Sequence, residues 1–198
     1  MVGFVFEKDL PHQTRAVAGV LSAFEGITFA PTTTGTQNPV IELTAAESLL
    51  RDNLEGLRKA RGFQQAYKLD AKEHIFDISM ETGTGKTYAY TKTMFELNKQ
   101  TGLAKFIVAV PRVAIKAGTV NFLKSDSARE HFRDTYGRDI KVYEVQSQKS
   151  TKSKKDHIPQ AIADFCRADV SMNKNAIHVL VINAGMITAK KTLKAEGG

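Results

Sequence analysis

Apolar positions along this chain follow two periods. Residues 106–110 (Phe106-Ile107-Val108-Ala109-Val110) form an uninterrupted apolar run ended by Pro111, which suits a strand buried on both faces of a parallel sheet. Residues 178–182 (His178-Val179-Leu180-Val181-Ile182) repeat the pattern, residues 139–145 read as another strand, and residues 74–79 as a short buried one. Helical spacing governs the segments between. Val17, Val20, Leu21 and Phe24 mark a helix over 16–24, followed by a Pro/Thr/Gly-rich loop over 29–38. Over 44–62, Thr44 can cap, Glu47 stands three residues on, and Leu50, Leu54 and Leu57 make a core-facing stripe. Further helices are expected over 88–97, 114–124 and 157–167. Strands alternating with helices at this spacing predict a three-layer α/β domain with a mostly parallel central sheet and right-handed crossovers.

Between the strand at 74–79 and the helix from 88 lies Met80-Glu81-Thr82-Gly83-Thr84-Gly85-Lys86-Thr87, a glycine-bearing turn with a Lys-Thr pair at its end. Strand, turn and helix in that order are the context of a phosphate-binding loop. Gly83 and Gly85 allow backbone conformations in which consecutive N–H groups turn toward phosphate oxygens. Lys86 would stand at a helix N-terminus, which already favours anions, and reach the outer phosphates; Thr87 would ligate Mg2+ through the nucleotide. The general pattern G-x-x-x-x-G-K-[ST] asks for glycine where this chain has Met80. An ordinary strand-to-helix turn with an exposed lysine is the competing reading.

Composition limits the class. The 198 residues are 42% hydrophobic and 25% charged, enough for one sizeable core. No apolar run is long enough to span a membrane, and Glu7, Lys8 and Asp9 interrupt the start where a secretory signal needs an apolar stretch; a soluble, cytoplasmic protein is expected. Cys166 is the only cysteine, which excludes an internal disulfide, and its helical setting suggests a buried structural thiol. The net charge of +7 is uneven: residues 1–98 hold 10 Lys and Arg against 12 acidic residues, and residues 99–198 hold 18 against 9. A basic half of this kind suits a polyanion, with a solvated basic face as the alternative. The polar, basic stretch 146–155 could follow a phosphate backbone or be a solvated loop.

Leu10-Pro11-His12-Gln13, the phosphate loop, Ile107-Val108-Ala109-Val110-Pro111-Arg112 and Val179-Leu180-Val181-Ile182-Asn183 follow one another in an order that resembles the first RecA-like lobe of a superfamily-2 helicase or translocase. More narrowly, the chain resembles the restriction (Res) subunit of type III restriction-modification systems. The resemblance covers the whole chain and implies a RecA-like P-loop NTPase domain as a single ATP-binding lobe over 1–198, with the helical segment at about 44–62 inserted before the loop. By it, Gln13 recognises adenine; Thr82, Gly83, Thr84, Gly85, Lys86 and Thr87 hold ATP and Mg2+, with Lys86 and Thr87 catalytic. Phe4 or Phe6 could stack on the base, a core role being the simpler reading of each. Arg112 and Lys116, at a strand end and helix start, become candidate nucleic-acid phosphate contacts, against solvated charges at a helix start.

The family pattern is incomplete in this chain. An Asp-Glu strand end that would hold magnesium and orient water is absent; the strand at 179–182 ends in Asn183 and reads as the element preceding that acidic motif, which the sequence stops short of. The second lobe and the nuclease domain are also absent, so the chain reads as an N-terminal part of a longer protein, catalytically incomplete by itself because such ATPases take an arginine from a facing lobe. The resemblance implies double-stranded DNA and a modification methyltransferase (Mod) subunit as partners, and ATP-dependent DNA cleavage by the whole protein. Two other readings stand beside it: the corresponding lobe of another DNA or RNA helicase, and a nucleic-acid-binding or subunit-docking module with a vestigial nucleotide site.

Overall fold

The computed structural model describes residues 6–7, 9–32, 34–41, 43–63, 77–146, 158–171 and 175–188. The described residues form two compact units, one made of 34–38 and the chain from Ala104 onward, the other of Phe6–Thr32 and Pro39–Leu103.

The first unit is a parallel sheet between helices. Its strands β3 (Lys105–Val110), β4 (Asp139–Glu144) and β5 (Ala176–Asn183) stand in the order β3-β5-β4, all parallel. The α/β expectation holds, and the last strand of the three in sequence takes the centre. Every residue of β5 from Ala176 to Ile182 is buried, as its continuous apolar run requires. Leu180 and Ile182 pack with Val145 and with Ile162 and Phe165 of α6 (Gln160–Arg167) on one face. On the other face α4 (Val113–Lys124) meets the sheet, and α5 (Asp126–Tyr136) packs on α4 and β4. A short helix α7 (Ala184–Thr188) follows β5.

Strand β3 departs from expectation. Ile107 is 60% exposed and Ala109 is also exposed: they pair with Leu180 and Ile182 and share their face of the sheet, but α6 on that face packs on β4 and β5, and β3 stands at the edge among the described strands. Its start is tied down by Asn38, whose Oδ1 accepts from the N–H groups of Ala104 and Lys105 while its Nδ2 donates to the Lys105 carbonyl at 2.7 Å. Lys105 Nζ donates to the carbonyls of Thr36 and Cys166, which satisfies a partly desolvated ammonium.

Helix α5 has no counterpart among the predicted elements. Ser125 caps it by accepting from the Ala128 N–H, Ala128 and Phe132 are its buried i, i+4 pair, and Gly137 stops it at φ +66°. Cys166 is exposed rather than buried: Ile162 and Phe165 hold the inward stripe of α6, and the next residue falls outside it.

The second unit is helical. Helix α1 (Pro11–Ala23) packs against α2 (Leu43–Ala60) and α3 (Lys86–Thr101). Pro11 opens α1 at a position where its missing N–H costs nothing. Thr44 lies within α2 and not at its cap, since the helix already includes Leu43. Leu50 is core, whereas Leu54 and Leu57 are half-buried. Within the expected 29–38 loop, Phe29–Ala30 (β1) pairs antiparallel with Val40–Ile41 (β2), a short ladder that propensity alone could not signal. The strand expected at 74–79 and the basic loop at 146–155 lie outside the described residues, except Asp77–Ser79, which carry no strand, and Gln146.

Candidate functional site

The phosphate-loop sequence folds as its residue types require. Gly83 has φ +83° and Gly85 φ +80°, the left-handed region that strains most residues bearing a Cβ. Gly85 is the N-cap of α3 and offers no side-chain cap, so the first-turn N–H groups of a sixteen-residue helix keep their affinity for an anion. Lys86 is the first helical residue. Its Nζ donates to the Glu81 carbonyl at 2.7 Å, and Thr84 Oγ1 donates to the same oxygen at 2.7 Å, so the ammonium lies back across the loop. Thr82 and Gly83 are exposed, and Thr87 is half-buried in the first turn with its carbonyl accepting from Thr91 Oγ1.

Helix α1 supplies the second layer of this site. Gln13 is buried, and its Nε2 donates to the Thr84 carbonyl at 3.1 Å. His12 Nε2 reaches the same oxygen at 3.0 Å. A Cβ on Gly85 would stand 2.5 Å from Gln13 Nε2, so the glycine is needed for its conformation and for the close approach of this amide. Gln13 Oε1 is buried and has no hydrogen-bond partner among the described residues. His12 has no expected role in the Leu-Pro-His-Gln run, where its only signal is adjacency to Gln13. Phe6 stacks on Tyr88 of α3 with ring centroids 5.6 Å apart, which is a packing role; Phe4 lies outside the described residues. Beside the loop, α1 and α2 border a cavity of about 870 Å³ lined by His12, Arg15, Leu54, Leu57 and Phe63 and, across it, by Glu81.

The donor set tests what the site could hold. Two left-handed glycines, an uncapped helix start, an ammonium over the loop and a threonine in the first turn suit a nucleotide's phosphates. Among the described residues no group of three or more His, Cys, Asp or Glu could hold a metal ion. Thr87 places one side-chain hydroxyl in the first turn of α3, next to the loop.

The two residues expected to touch nucleic acid belong to the other unit and differ from one another. Arg112 is exposed at the N-cap of α4, just past the C-terminal end of β3. Lys116 is buried: its Nζ donates to the Val145 carbonyl at 2.6 Å and pairs with Glu144 at 3.4 Å. The expectation of an exposed phosphate contact at Lys116 is corrected by that geometry, because one helical turn beyond Arg112 the side chain points at the sheet. Among the described residues no helix is long and apolar enough to cross a membrane.

Comparison with known proteins agrees with these features. The family model for the type III restriction enzyme, res subunit, matches residues 8–196. The chain is 50% identical over 194 residues to the type III restriction-modification enzyme EcoPI Res subunit of Escherichia phage P1, and 48% identical over 196 residues to the EcoP15I Res subunit of Escherichia coli. It is 34% identical over 185 residues to the StyLTI Res subunit of Salmonella typhimurium. The matches cover 95%, 95% and 92% of this chain but only 20%, 20% and 16% of those relatives. With a left-handed glycine loop opening α3, a parallel α/β sheet and that extent of identity, the chain belongs to the family of type III restriction enzyme Res subunits.

Proposed function

We propose that this chain is the ATP-binding lobe of the motor of a type III restriction enzyme, both compact units belonging to that lobe. The observation that carries the reading is the loop ahead of α3, with Gly83 and Gly85 in the left-handed region and Lys86 at the helix start folded over it. In this reading the N–H groups of the 82–87 loop surround the phosphates and Lys86 neutralises them. Thr87 shares Mg2+ with the nucleotide, and Gln13 reads adenine. The Gln13 amide suits that role: one N–H is spent on Thr84, while a second N–H and Oε1 remain for a base edge. A bound magnesium nucleotide would supply the phosphoanhydride whose hydrolysis powers movement.

In the complete protein, hydrolysis would drive movement on double-stranded DNA before cleavage, in complex with a Mod methyltransferase subunit, in the cytoplasm. Arg112, exposed at a strand end, remains a candidate DNA phosphate contact. The Asp-Glu pair and a facing arginine are missing from these 198 residues, so the isolated chain should bind nucleotide and hydrolyse it very slowly.

Calorimetric titration with a nonhydrolysable ATP analogue and magnesium tests the reading. Binding by the parent chain that is lost in a folded Lys86→Ala variant supports it. Equal behaviour of the two proteins overturns it.

A further inference from the structure

The contact between α1 and the phosphate loop carries more than the packing of a helix. The Thr84 carbonyl receives two side-chain nitrogens, His12 Nε2 at 3.0 Å and Gln13 Nε2 at 3.1 Å. A carbonyl can only accept, so His12 must carry its proton on Nε2, and both lone pairs of the oxygen are engaged. No cis peptide occurs among the described residues. In a planar trans peptide the C=O and the following N–H point in opposite directions, so holding the Thr84 oxygen toward α1 turns the Gly85 N–H away from it. The orientation of one donor of the phosphate loop is thus set by side chains from a different helix.

The two nitrogens are not equivalent. Gln13 has an unpartnered buried Oε1 and a second N–H, and the proposed function gives that amide a base to read. His12 has no such second duty. Were Gln13 to rotate toward a base, His12 alone would keep the Thr84 oxygen satisfied and the Gly85 N–H in place.

We infer that His12 is a positioning residue for the phosphate loop, holding the Thr84 peptide so that phosphate binding does not depend on what Gln13 does. This rests on the nucleotide reading above and adds to it a division of labour between neighbouring residues. His12 lies in the first turn of α1, which packs against α3, so the imidazole and the loop are carried by elements in direct contact.

The test uses two probes, a nonhydrolysable ATP analogue and inorganic tripolyphosphate, which has no base, each with magnesium. His12→Leu should weaken both by about fivefold, the loss of one loop-ordering hydrogen bond. His12→Gln, whose amide nitrogen can take the place of Nε2, should restore both. Gln13→Ala should weaken the analogue more than tripolyphosphate. In the free protein, the Thr84 carbonyl carbon-13 resonance should move in His12→Leu and return in His12→Gln, a signature that simple loss of packing would not reverse. Unchanged tripolyphosphate binding in His12→Leu, or no rescue by glutamine, overturns the inference. If the parent binds neither probe, or Lys86→Ala binds as the parent does, the nucleotide reading fails and this inference falls with it; the Thr84 resonance then shows whether the contact itself exists.

Discussion

The Tyr143 hydroxyl and the Nδ1 of His178 are hydrogen-bonded at 2.9 Å across β4 and β5, with the two rings stacked 5.8 Å apart. The other ring nitrogen of His178, Nε2, is buried with no partner among the described residues. Desolvation first, then the charges of Lys141 and Lys105, pushes the imidazole from its ordinary value down to about 4. In the unfolded chain the same group titrates near 6.5, so between those values the unfolded state holds the extra proton and stability rises with pH. His178→Phe should therefore lose the part of the stability change that the parent shows between pH 4 and 6.5. Urea unfolding of both proteins at the two ends of that window checks it, and parallel curves would refute it.

Asp139 works in the opposite direction. It accepts from Arg129 Nε at 3.0 Å and Arg129 Nη2 at 2.6 Å, and also from Arg133 and its own neighbour's N–H, joining α5 to the start of β4. The Arg129 hydrogen bonds are the main reason its carboxyl is held down to about 2. A depressed carboxylate contributes fully above its unfolded value near 3.8, and the contribution is lost as pH falls toward 2. Asp139→Asn should lower the melting temperature at pH 6 and leave a smaller difference from the parent near pH 2.

The two loop glycines should respond differently to alanine. At Gly83 a Cβ meets nothing within 4 Å, so only the left-handed backbone is strained, at about 1–2 kcal/mol. At Gly85 the same strain comes with a Cβ 2.5 Å from Gln13 Nε2, which must leave the Thr84 carbonyl. Gly85→Ala should be the more destabilised in chemical denaturation and should weaken nucleotide binding further than Gly83→Ala. Equal effects would show that the Gln13 contact is incidental.

Lys116 and Arg112 separate stability from binding. Lys116→Ala leaves Glu144 and the Val145 carbonyl without the buried ammonium and should cost about 3 kcal/mol in urea unfolding. Arg112→Ala, at an exposed position, should stay within about 0.5 kcal/mol of the parent while flattening the salt dependence of DNA binding. A Lys116 variant as stable as the parent would show that the pair is not the anchor it resembles.

Much of this was legible in the residues. Continuous apolar runs marked β3 and β5, and the glycines with Lys86 and Thr87 marked the start of α3, because periodicity and backbone freedom are local properties. Lys116 and Cys166 went wrong for one shared reason: whether a helical residue faces the core depends on rotation by a single position, which sequence spacing does not fix near the ends of a stripe. Exposure of Ile107 depends on which strand stands at an edge, a property of sheet order. Helix α5 was the avoidable omission, since Ser125, the Ala128 and Phe132 pair and Gly137 spell out its start, face and stop.

The burial of Lys116 also has a mechanical side. Its ammonium bridges the side of α4 to the end of β4 through a carbonyl and a carboxylate, and Glu144 in turn faces Lys124 at 3.8 Å near the far end of the same helix. Two cations eight residues apart on α4 thus meet one acidic residue at the end of β4, the buried Lys116 more closely than the half-exposed Lys124. A pull applied at Arg112 would reach the end of β4 one helical turn on, through the buried ammonium of Lys116.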